Sequence, residues 1–303
     1  MSKLHRVLAA VDFSEPARAA FDYALALSRL HDAALTVVHA VPTEFPFKWH
    51  ARERRDLIGV LRAAAKAAGV RFKVSVQAGD PAGVILLHAN ARRADVVVLG
   101  SSERSGLDRF RFGSVAEAVA LEATQPVLVV PRSSEKTIAS PTPFKSILVA
   151  VDLGEGSRAA VERALSIAGD GTRVTLVHVV RGVPPAGAQR YMYHLMEPEY
   201  QRQLARDAWR RIPEIVPPGA SSKVHARVVL GDPSAEISRV AREVDADLVL
   251  VGVTPRSALG RLLLGSTAAR VIRAAEVPVL AMPQRVERTT APPSDEDQYA
   301  VAA

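Results

Sequence analysis

The sequence contains no cysteine, and this absence removes several classes of chemistry at once. It excludes a disulfide framework, a thiolate metal site and a cysteine nucleophile. No apolar run approaches the roughly 18 residues that a membrane-spanning helix needs, and the first residues, Met1 to Arg6, lead into a strand pattern without a signal-peptide core. We therefore expect a cytoplasmic protein with no membrane segment.

Aromatic residues are scarce, at 5% of the chain, although the net charge of +7 raises the question of nucleic acid. So few aromatic rings offer no evident platform for stacking bases. The basic residues are mostly arginines spread along predicted helices, as in Arg52 to Arg55. We interpret them as a solvated basic surface and not as a nucleic-acid face.

Two common phosphate-binding motifs are also missing. A glycine-rich dinucleotide fingerprint would follow the first strand, but the residues there are Asp-Phe-Ser-Glu-Pro, starting at Asp12, and Asp-Leu-Gly-Glu-Gly, starting at Asp152. The phosphate loop Gly-x4-Gly-Lys-Ser/Thr does not occur anywhere. Both of these nucleotide-binding classes are excluded.

Short apolar runs of strand length alternate with segments of helical periodicity. Val7 to Val11 is such a run, and Ser14 and Pro16 after it are typical of a helix start. Asp95 to Leu99 is continuously apolar after its first residue, as in a strand covered on both faces. This alternation predicts an α/β fold with doubly wound parallel sheets.

The pattern occurs twice along the 303 residues, which suffice for two domains of about 150 residues each. Matching positions are 140 residues apart at the first strand, 139 at the second and 152 from the third onward. They include Asp12 and Asp152, His39 and His178, Gly79 and Gly231, Asp95 and Asp247, Gly100 and Gly252, Gly113 and Gly265, and Pro126 and Pro278. We infer a tandem repeat of one unit.

These matches set the predicted domain boundaries. The first copy is residues 1–131, a linker rich in Ser, Thr and Pro is 132–143, and the second copy is 144–283. Residues 284–303 are polar, and we expect a disordered tail. The extra residues of the second copy lie around 184–200 and suggest a lid or a contact loop.

The best candidate site in each copy is the loop that leads from the fourth strand into the next helix, Gly100 to Ser114 and Gly252 to Ser266. Unpaired N–H groups at such a helix start suit a phosphate. In the second copy Gly265 allows close approach, Ser266 adds a hydroxyl and Arg256 adds charge. The alternative is that these glycines are ordinary loop residues with no role in phosphate binding.

Asp12 and Asp152 follow the first strand of their copies, beside the crevice where ligands of doubly wound sheets bind. Each carboxylate could accept a hydrogen bond from an adenine amino group or a ribose hydroxyl, or could simply hold the turn into the helix. His39 and His178 end the second strands and are interpreted as structural, because no Cys or acidic partner lies at metal-ligand spacing.

Together these residues resemble the universal stress protein family, as a tandem two-domain member, over nearly the whole chain. The resemblance rests on Ile-Leu-Val-Ala-Val-Asp at 147–152, the Gly-Asp-Pro turns, the Gly-Ser loops and Pro-Val-Leu-Val-Val-Pro at 126–131. It implies strand order 3-2-1-4-5 in each copy and a dimer formed through fifth strands, which two copies could form within one chain.

The resemblance also implies ATP as the ligand, possibly with Mg²⁺. By matching position, the implied adenosine contacts are Asp12, Ala40, Asp152 and Val179. The implied phosphate contacts are Gly100, Gly113, Ser114 and Val115 in the first copy and Gly252, Gly265, Ser266 and Thr267 in the second.

Both copies depart from the family's ATP-binding pattern Gly-x2-Gly-x9-Gly-Ser/Thr at its second glycine, where Glu103 and Pro255 stand. Proline lacks the N–H that would donate to phosphate, and Glu103 places a carboxylate nearby. Because the second loop has two arginines and no acid, the second copy is the better candidate.

Three functions remain open. The first is an adenine-nucleotide-binding stress-response module that regulates an unknown protein partner, and the second is a non-binding scaffold that acts through protein–protein contacts. The third is an enzyme, for which no catalytic constellation is seen; any ATP hydrolysis should be slow. We also expect the fifth strands, 127–130 and 277–281, to pair within the chain. This pairing would bury Val127, Val129, Val277 and Val279. Whether two chains associate further into a homodimer is an open alternative.

Overall fold

A computed structural model describes residues 3–12, 14–41, 51–101, 113–131, 144–181, 198–253, 256–258, 261–263 and 265–283. The first copy contains β1 (Arg6–Ala10), α1 (Glu15–His31), β2 (Ala34–Val41), α2 (Ala51–Ala67), β3 (Phe72–Ala78), α3 (Pro81–Ala91), β4 (Val96–Gly100), α4 (Ser114–Glu122) and β5 (Val127–Val130). The second contains β6 (Ser146–Val151), α5 (Glu155–Ile167), β7 (Arg173–Val180), α6 (Pro198–Ile215), β8 (Val224–Leu230), α7 (Pro233–Glu243), β9 (Leu248–Val253), β10 (Arg256–Ala258), β11 (Arg261–Leu263), α8 (Ser266–Ala274) and β12 (Val279–Pro283).

Local signals in the sequence place several helix starts. The Ser14 hydroxyl accepts the Ala17 N–H at the start of α1. At α3 and α7 the caps are Asp80 and Asp232, and each is followed by a proline in the first turn. These side chains satisfy backbone donors that a helix start leaves unpaired, which stabilises the boundaries.

The α/β fold of two doubly wound halves that join through their fifth strands is confirmed. Within each copy the neighbouring strands are parallel and follow the predicted order: β3-β2-β1-β4-β5 in the first and β8-β7-β6-β9-β12 in the second. The two sheets are joined into one ten-stranded sheet, because β5 pairs antiparallel with β12.

The junction between β5 and β12 sets Val129 opposite Val279 and Val127 opposite Ala281. All four side chains are buried. The predicted second fifth strand began at Val277, but the observed strand begins at Val279 and Val277 is only half-buried before it. The backbone N–H and C=O groups at these two sheet edges are therefore paired within the chain. This pairing removes a site at which strands of other chains could add.

Alternation along the strands builds a core on each face of the sheet. In β1, Val7 and Ala9 belong to the core on one face, whereas Leu8 and Ala10 belong to the other. The first core includes residues of α1, α2, α5 and α6, and the second includes residues of α3, α4, α7 and α8. Each copy therefore has helices on both faces, as the buried strands require.

The prediction of a loop between Gly252 and Ser266 is wrong in one respect, because this segment contains a short antiparallel hairpin. Arg256 of β10 pairs with Leu263 of β11, and Ala258 pairs with Arg261. The predicted loop 102–112, linker 132–143 and tail 284–303 lie outside the described residues, as does the predicted lid up to residue 197. Within the described part of the chain, no helix combines the length and the apolar character needed to cross a membrane.

Candidate functional site

The second copy brings its predicted site residues to one edge of the sheet. Strand β6 lies between β7 and β9, so the carboxyl ends of three parallel strands are adjacent. Asp152 follows β6, Val179 lies near the end of β7, and Gly252 lies near the end of β9. Helix α8 begins at the same edge, after Gly265.

A cavity of about 240 Å³ lies at this edge. The predicted second-copy residues that line it are Asp152, Val179, Gly252, Gly265, Ser266 and Thr267. The remaining predicted residue, Arg256, is the first residue of β10. The structure describes its backbone but not its side chain. The lining thus combines apolar strand ends with hydroxyls and backbone groups of a helix start.

Sequence reasoning missed several other lining residues. Ser157, His178, Arg181, Pro233 and Ile237 also border the cavity. Arg181 supplies positive charge directly after β7, and its place at a strand end was the signal that could have identified it. The repeated Gly-Asp-Pro turn could likewise have identified Pro233.

Asp152 organises the turn between β6 and α5. Its Oδ1 accepts the Gly154 N–H at 2.9 Å and the Ser157 hydroxyl at 2.9 Å. Asp12 has the matching role in the first copy, where Oδ1 accepts both the N–H and the hydroxyl of Ser14. The turn-holding interpretation therefore has direct support at both positions, and it is compatible with a carboxylate facing a ligand.

The next residue, Leu153, has a left-handed backbone conformation with φ of 61°, which is unusual for a leucine. Its side chain is buried, and its carbonyl oxygen accepts a hydrogen bond of 2.7 Å from the Arg211 guanidinium. Arg211 lies on α6, so this helix holds the turn that carries Asp152. Such a backbone conformation costs roughly 1–2 kcal/mol and persists only where surrounding contacts enforce it.

The start of α8 fits an anionic ligand. Its N-cap is Gly265, and no side chain among the described residues caps it. Helix α7, beside it, is capped instead by Asp232, which accepts the Ala235 N–H at 3.0 Å. The first-turn donors of α8 thus face the cavity without a capping carboxylate, so a phosphate could take that place.

An ion pair between the helices lies close to this start. Arg270 of α8 donates to Asp232 Oδ1 at 2.7 Å. The Ser234 hydroxyl, the Ala235 N–H and Arg270 together hold the pKa of Asp232 below its usual value. Asp232 therefore stays ionised, and it ties α7 to α8 where Pro233 and Thr267 both line the cavity.

The two histidines predicted to be structural do make backbone contacts. His178 Nδ1 lies 2.9 Å from the Val151 carbonyl oxygen, and His39 Nδ1 lies 2.8 Å from that of Val11. Because a carbonyl only accepts, Nδ1 carries the proton in both rings. Each histidine thus connects the ends of the first and second strands in its copy.

The matching residues of the first copy also lie at one sheet edge, since β1 separates β2 from β4. Ala40, Gly100 and Val115 are half-buried there, on β2, β4 and α4. Ser114 begins α4 after Gly113, an N-cap that no described side chain caps. This placement resembles that of the second copy.

Gly100 has a packing role that sequence reasoning did not anticipate. A Cβ atom at this position would lie 2.5 Å from the Pro16 carbonyl carbon and 2.8 Å from the Ala17 nitrogen. Only glycine permits this close approach of β4 to the start of α1. The conserved spacing of this glycine in the two copies is therefore not evidence for phosphate binding by itself.

The first copy also has an acid close to its helix start. Glu117 lies in the first turn of α4 and pairs with Arg273 of α8 at 3.1 Å. The matching residue in the second copy is Ala269. The second copy thus has no acid at this position of its helix.

The part of the chain that the structure describes holds no group of three or more His, Cys, Asp or Glu side chains able to bind a metal ion.

Comparison with known proteins identifies the family. The model of the universal stress protein family matches residues 3–131 and again residues 143–283, so the chain belongs to this family. Universal stress protein Rv2005c of Mycobacterium tuberculosis is 29% identical over 298 residues, which cover 92% of this chain and 97% of that protein. A universal stress protein of Mycolicibacterium smegmatis is 26% identical over 302 residues, with the same two coverages.

A solved structure supports the fold independently. The crystal structure of a universal stress protein from Archaeoglobus fulgidus matches with a TM-score of 0.66 and 19% sequence identity. The match covers 92% of this chain and 98% of that one. At this identity the likeness concerns the arrangement of the two halves, and the function must be argued from the site.

Proposed function

We propose that this universal stress protein binds an adenine nucleotide, ATP, in its second copy and acts by nucleotide-dependent regulation of a protein partner. The single observation that carries the proposal is the cavity that joins Asp152, Val179 and Gly252 to the start of α8. It combines an acceptor for the nucleoside with free helix donors for phosphates, at the usual ligand position of a doubly wound sheet.

Each part of the cavity has a role in this proposal. The Asp152 carboxylate would accept from the adenosine part, while the backbone of Val179 would border the base. The N–H groups of Ser266 and Thr267, with their hydroxyls, would hold phosphate oxygens. Magnesium would arrive with the phosphates, which would supply most of its ligands.

Binding without efficient catalysis is the activity that these residues support. Asp152 is the only carboxylate among the described lining residues, and its Oδ1 already accepts two hydrogen bonds from the turn. A general base must be able to reach the attacking water in the bound complex. We therefore assign no hydrolytic role to this site.

Pro255 weakens the site relative to the family's glycine, because a phosphate loses one backbone donor. A lost charge-assisted bond of about 1.5–3 kcal/mol lowers affinity roughly 10- to 150-fold. We accordingly expect ATP to bind with micromolar or weaker affinity. The second candidate function, a scaffold that binds no nucleotide, is favoured by the same substitution.

Calorimetry with ATP and a matched pair of variants tests the proposal. Gly265→Val places a branched side chain at the N-cap of α8, whereas Gly113→Val makes the same change at α4. We expect the first variant to abolish binding and the second to preserve it. The reverse result would move the site to the first copy, and no binding by the unaltered protein, with no nucleotide found by mass spectrometry after denaturation, would favour the scaffold.

A further inference from the structure

Arg181 is the one arginine or lysine among the described residues that line the nucleotide cavity. It follows β7 directly and is exposed, and its guanidinium forms no hydrogen bond or ion pair with any residue that the structure describes. The neighbouring Arg270, in contrast, is engaged by Asp232. The charge of Arg181 is therefore available to a ligand in the cavity.

The backbone of β7 marks the end of the cavity that suits a base. Strand β6 ends at Val151, opposite His178, so no residue of β6 pairs with the last part of β7. The Val180 carbonyl oxygen accepts the Gly231 N–H, from the segment after β8. Because backbone groups alternate in direction along a strand, those of Val179 point the other way, toward the cavity.

Arg181 lies at this base end and not at the phosphate end. The proposed phosphate donors belong to α8, which packs on β9, whereas α7 packs on β7. Strands β7 and β9 lie on either side of β6, so their axes are about 10 Å apart at roughly 4.8 Å per strand spacing. A nucleotide with its phosphates at α8 thus extends its base toward β7, α7 and Arg181.

The base end has apolar walls and a single planar group above them. Val179, Pro233 and Ile237 line it, and no Phe, Tyr or Trp is among the described lining residues. The imidazole of His178 alternates to the opposite face of the sheet from Val179, and its Nδ1 is bound to a backbone carbonyl. The guanidinium of Arg181 is therefore the planar group that can cover a base on this side.

A guanidinium suits this place because it is planar, permanently charged and weakly hydrated, and it stacks on aromatic faces. Contacts of a cation with a ring face change an affinity about two- to fivefold when exposed and about 30-fold when desolvated. The matching residue of the first copy, 139 positions earlier, is Pro42. Only the second copy carries a side chain of this kind here.

We propose that Arg181 binds the base of the nucleotide by stacking its guanidinium on the ring face, opposite the wall of Val179, Pro233 and Ile237. This inference rests on the proposed nucleotide binding in the second copy. It assigns to Arg181 the selection of ligands that carry a planar base over phosphate compounds that lack one, such as tripolyphosphate.

Three variants separate the plane of the guanidinium from its charge. Arg181→Met keeps an apolar stem but removes both, and should weaken ATP binding about fivefold to 10-fold in calorimetry. Arg181→Lys keeps the charge alone and should recover at most about twofold of this loss. Arg181→Tyr keeps a planar face without the charge, and should bind ATP within about threefold of the unaltered protein.

The Nε–H signal of Arg181 reports the geometry directly. In the full-length protein with isotopically labelled arginine, the signal that is missing from Arg181→Met belongs to this residue. ATP should shift it upfield, because the face of an aromatic ring shields a proton above it. Tripolyphosphate, which has no base, should not produce this upfield shift. A downfield shift with ATP would report a hydrogen bond to a phosphate or to the edge of the base.

Arg173→Met is the matched control, because Arg173 is an exposed arginine at the first residue of the same strand, at the opposite end of the sheet. It should leave ATP affinity unchanged. The inference is overturned if Arg181→Met binds ATP as tightly as the unaltered protein, if Arg181→Lys restores full affinity, or if ATP does not move the Arg181 signal upfield.

Failure of the proposed function has a different signature. In that case the unaltered protein binds no ATP, or Gly265→Val binds it with unchanged affinity, and the inference about Arg181 falls with the site. If Gly265→Val abolishes binding while Arg181→Met has no effect, the nucleotide site stands and the stacking role alone is disproved.

Discussion

Tyr23 of α1 stacks on Phe144, which precedes β6, with ring centroids 5.7 Å apart and ring planes at 16°. Both side chains are almost fully buried, and they come from different copies. The matching residues, 140 positions away, are Arg163 and Leu4, so the pseudosymmetric contact has no aromatic pair. The junction of the two copies is therefore built differently on its two sides.

We expect this ring pair to contribute directly to the stability of the junction. Tyr23→Ala and Phe144→Ala should each destabilise the protein by about 3–5 kcal/mol, because each removes a buried aromatic side chain. In a double-mutant cycle followed by urea denaturation, the coupling energy should be about 0.5–1.5 kcal/mol. Strictly additive effects would show that the stacking itself contributes nothing.

Much of the fold could be predicted because its signals are local and repeated. Continuous apolar runs such as Val96 to Leu99 identified central strands, and the Gly-Asp-Pro turns identified the starts of α3 and α7. The hairpin between Arg256 and Leu263 was missed because its strands have only three residues each. The start of β12 was misplaced because Val277 is as apolar as the strand that follows.

The lining of the candidate nucleotide cavity was predictable to the extent that it follows from repetition. Asp152, Gly252 and Gly265 were found because they recur at matching positions. Arg181 was missed because it lies where the two copies diverge in length and has no basic counterpart.

Pairing of the fifth strands can be tested by crosslinking. Because the sequence has no native cysteine, only the introduced cysteines can form a disulfide. Val129 and Val279 lie directly opposite each other in the antiparallel junction. After substitution of both by cysteine and mild oxidation, we expect a disulfide within one chain. A single Val129→Cys variant is the control, since it can only link separate chains. Disulfide-linked dimers with no internally linked monomer would contradict the observed pairing.

His31 should make the stability of the protein depend on pH. Burial lowers its pKa from 6.5, and nearby Lys3 and Arg163 lower it further. Its Nε2 has no hydrogen-bond partner among the described residues. Because the unfolded chain takes up this proton first, stability should be full above about pH 6.5 and should fall as the pH decreases through the folded pKa.

Replacement of the imidazole by a neutral amide isolates this effect. In His31→Gln, urea denaturation between pH 7.5 and 5 should show a clearly smaller loss of stability than in the unaltered protein. Some loss should remain, since burial and Arg92 also lower the pKa of His88. His225→Gln, a change at an exposed position of β8, is the control. An unchanged pH profile in His31→Gln would disprove the role of this residue.

Restoring the family's glycine at residue 255 should strengthen the proposed phosphate site. Pro255→Gly returns an N–H group that can donate to a phosphate oxygen, and glycine can adopt a positive φ. We expect ATP to bind about 10-fold tighter or better, although the added freedom of the unbound loop offsets part of the gain. Calorimetry on the folded variant measures this directly. Unchanged affinity would mean that this loop does not hold phosphate.

Arg211 should influence the nucleotide site without touching the ligand. Its guanidinium holds the carbonyl of Leu153, a residue of left-handed conformation directly after Asp152 in the same turn. Without that hydrogen bond the turn should relax toward conformations that leucine prefers. We therefore expect Arg211→Met to weaken ATP binding about threefold to 10-fold, from the loss of roughly 1 kcal/mol of hydrogen bonding to the turn.

Two further variants separate positioning from general stability. Arg211→Lys should recover part of the affinity, because an ammonium group can still donate to the carbonyl oxygen. Arg210→Met is the matched control, since Arg210 is the neighbouring arginine, with a side chain that is 75% exposed. A loss of thermal stability in Arg211→Met without any change in ATP affinity would show that Arg211 only anchors α6. Weaker binding with the stability retained would identify Arg211 as the residue through which α6 acts on the turn of Asp152.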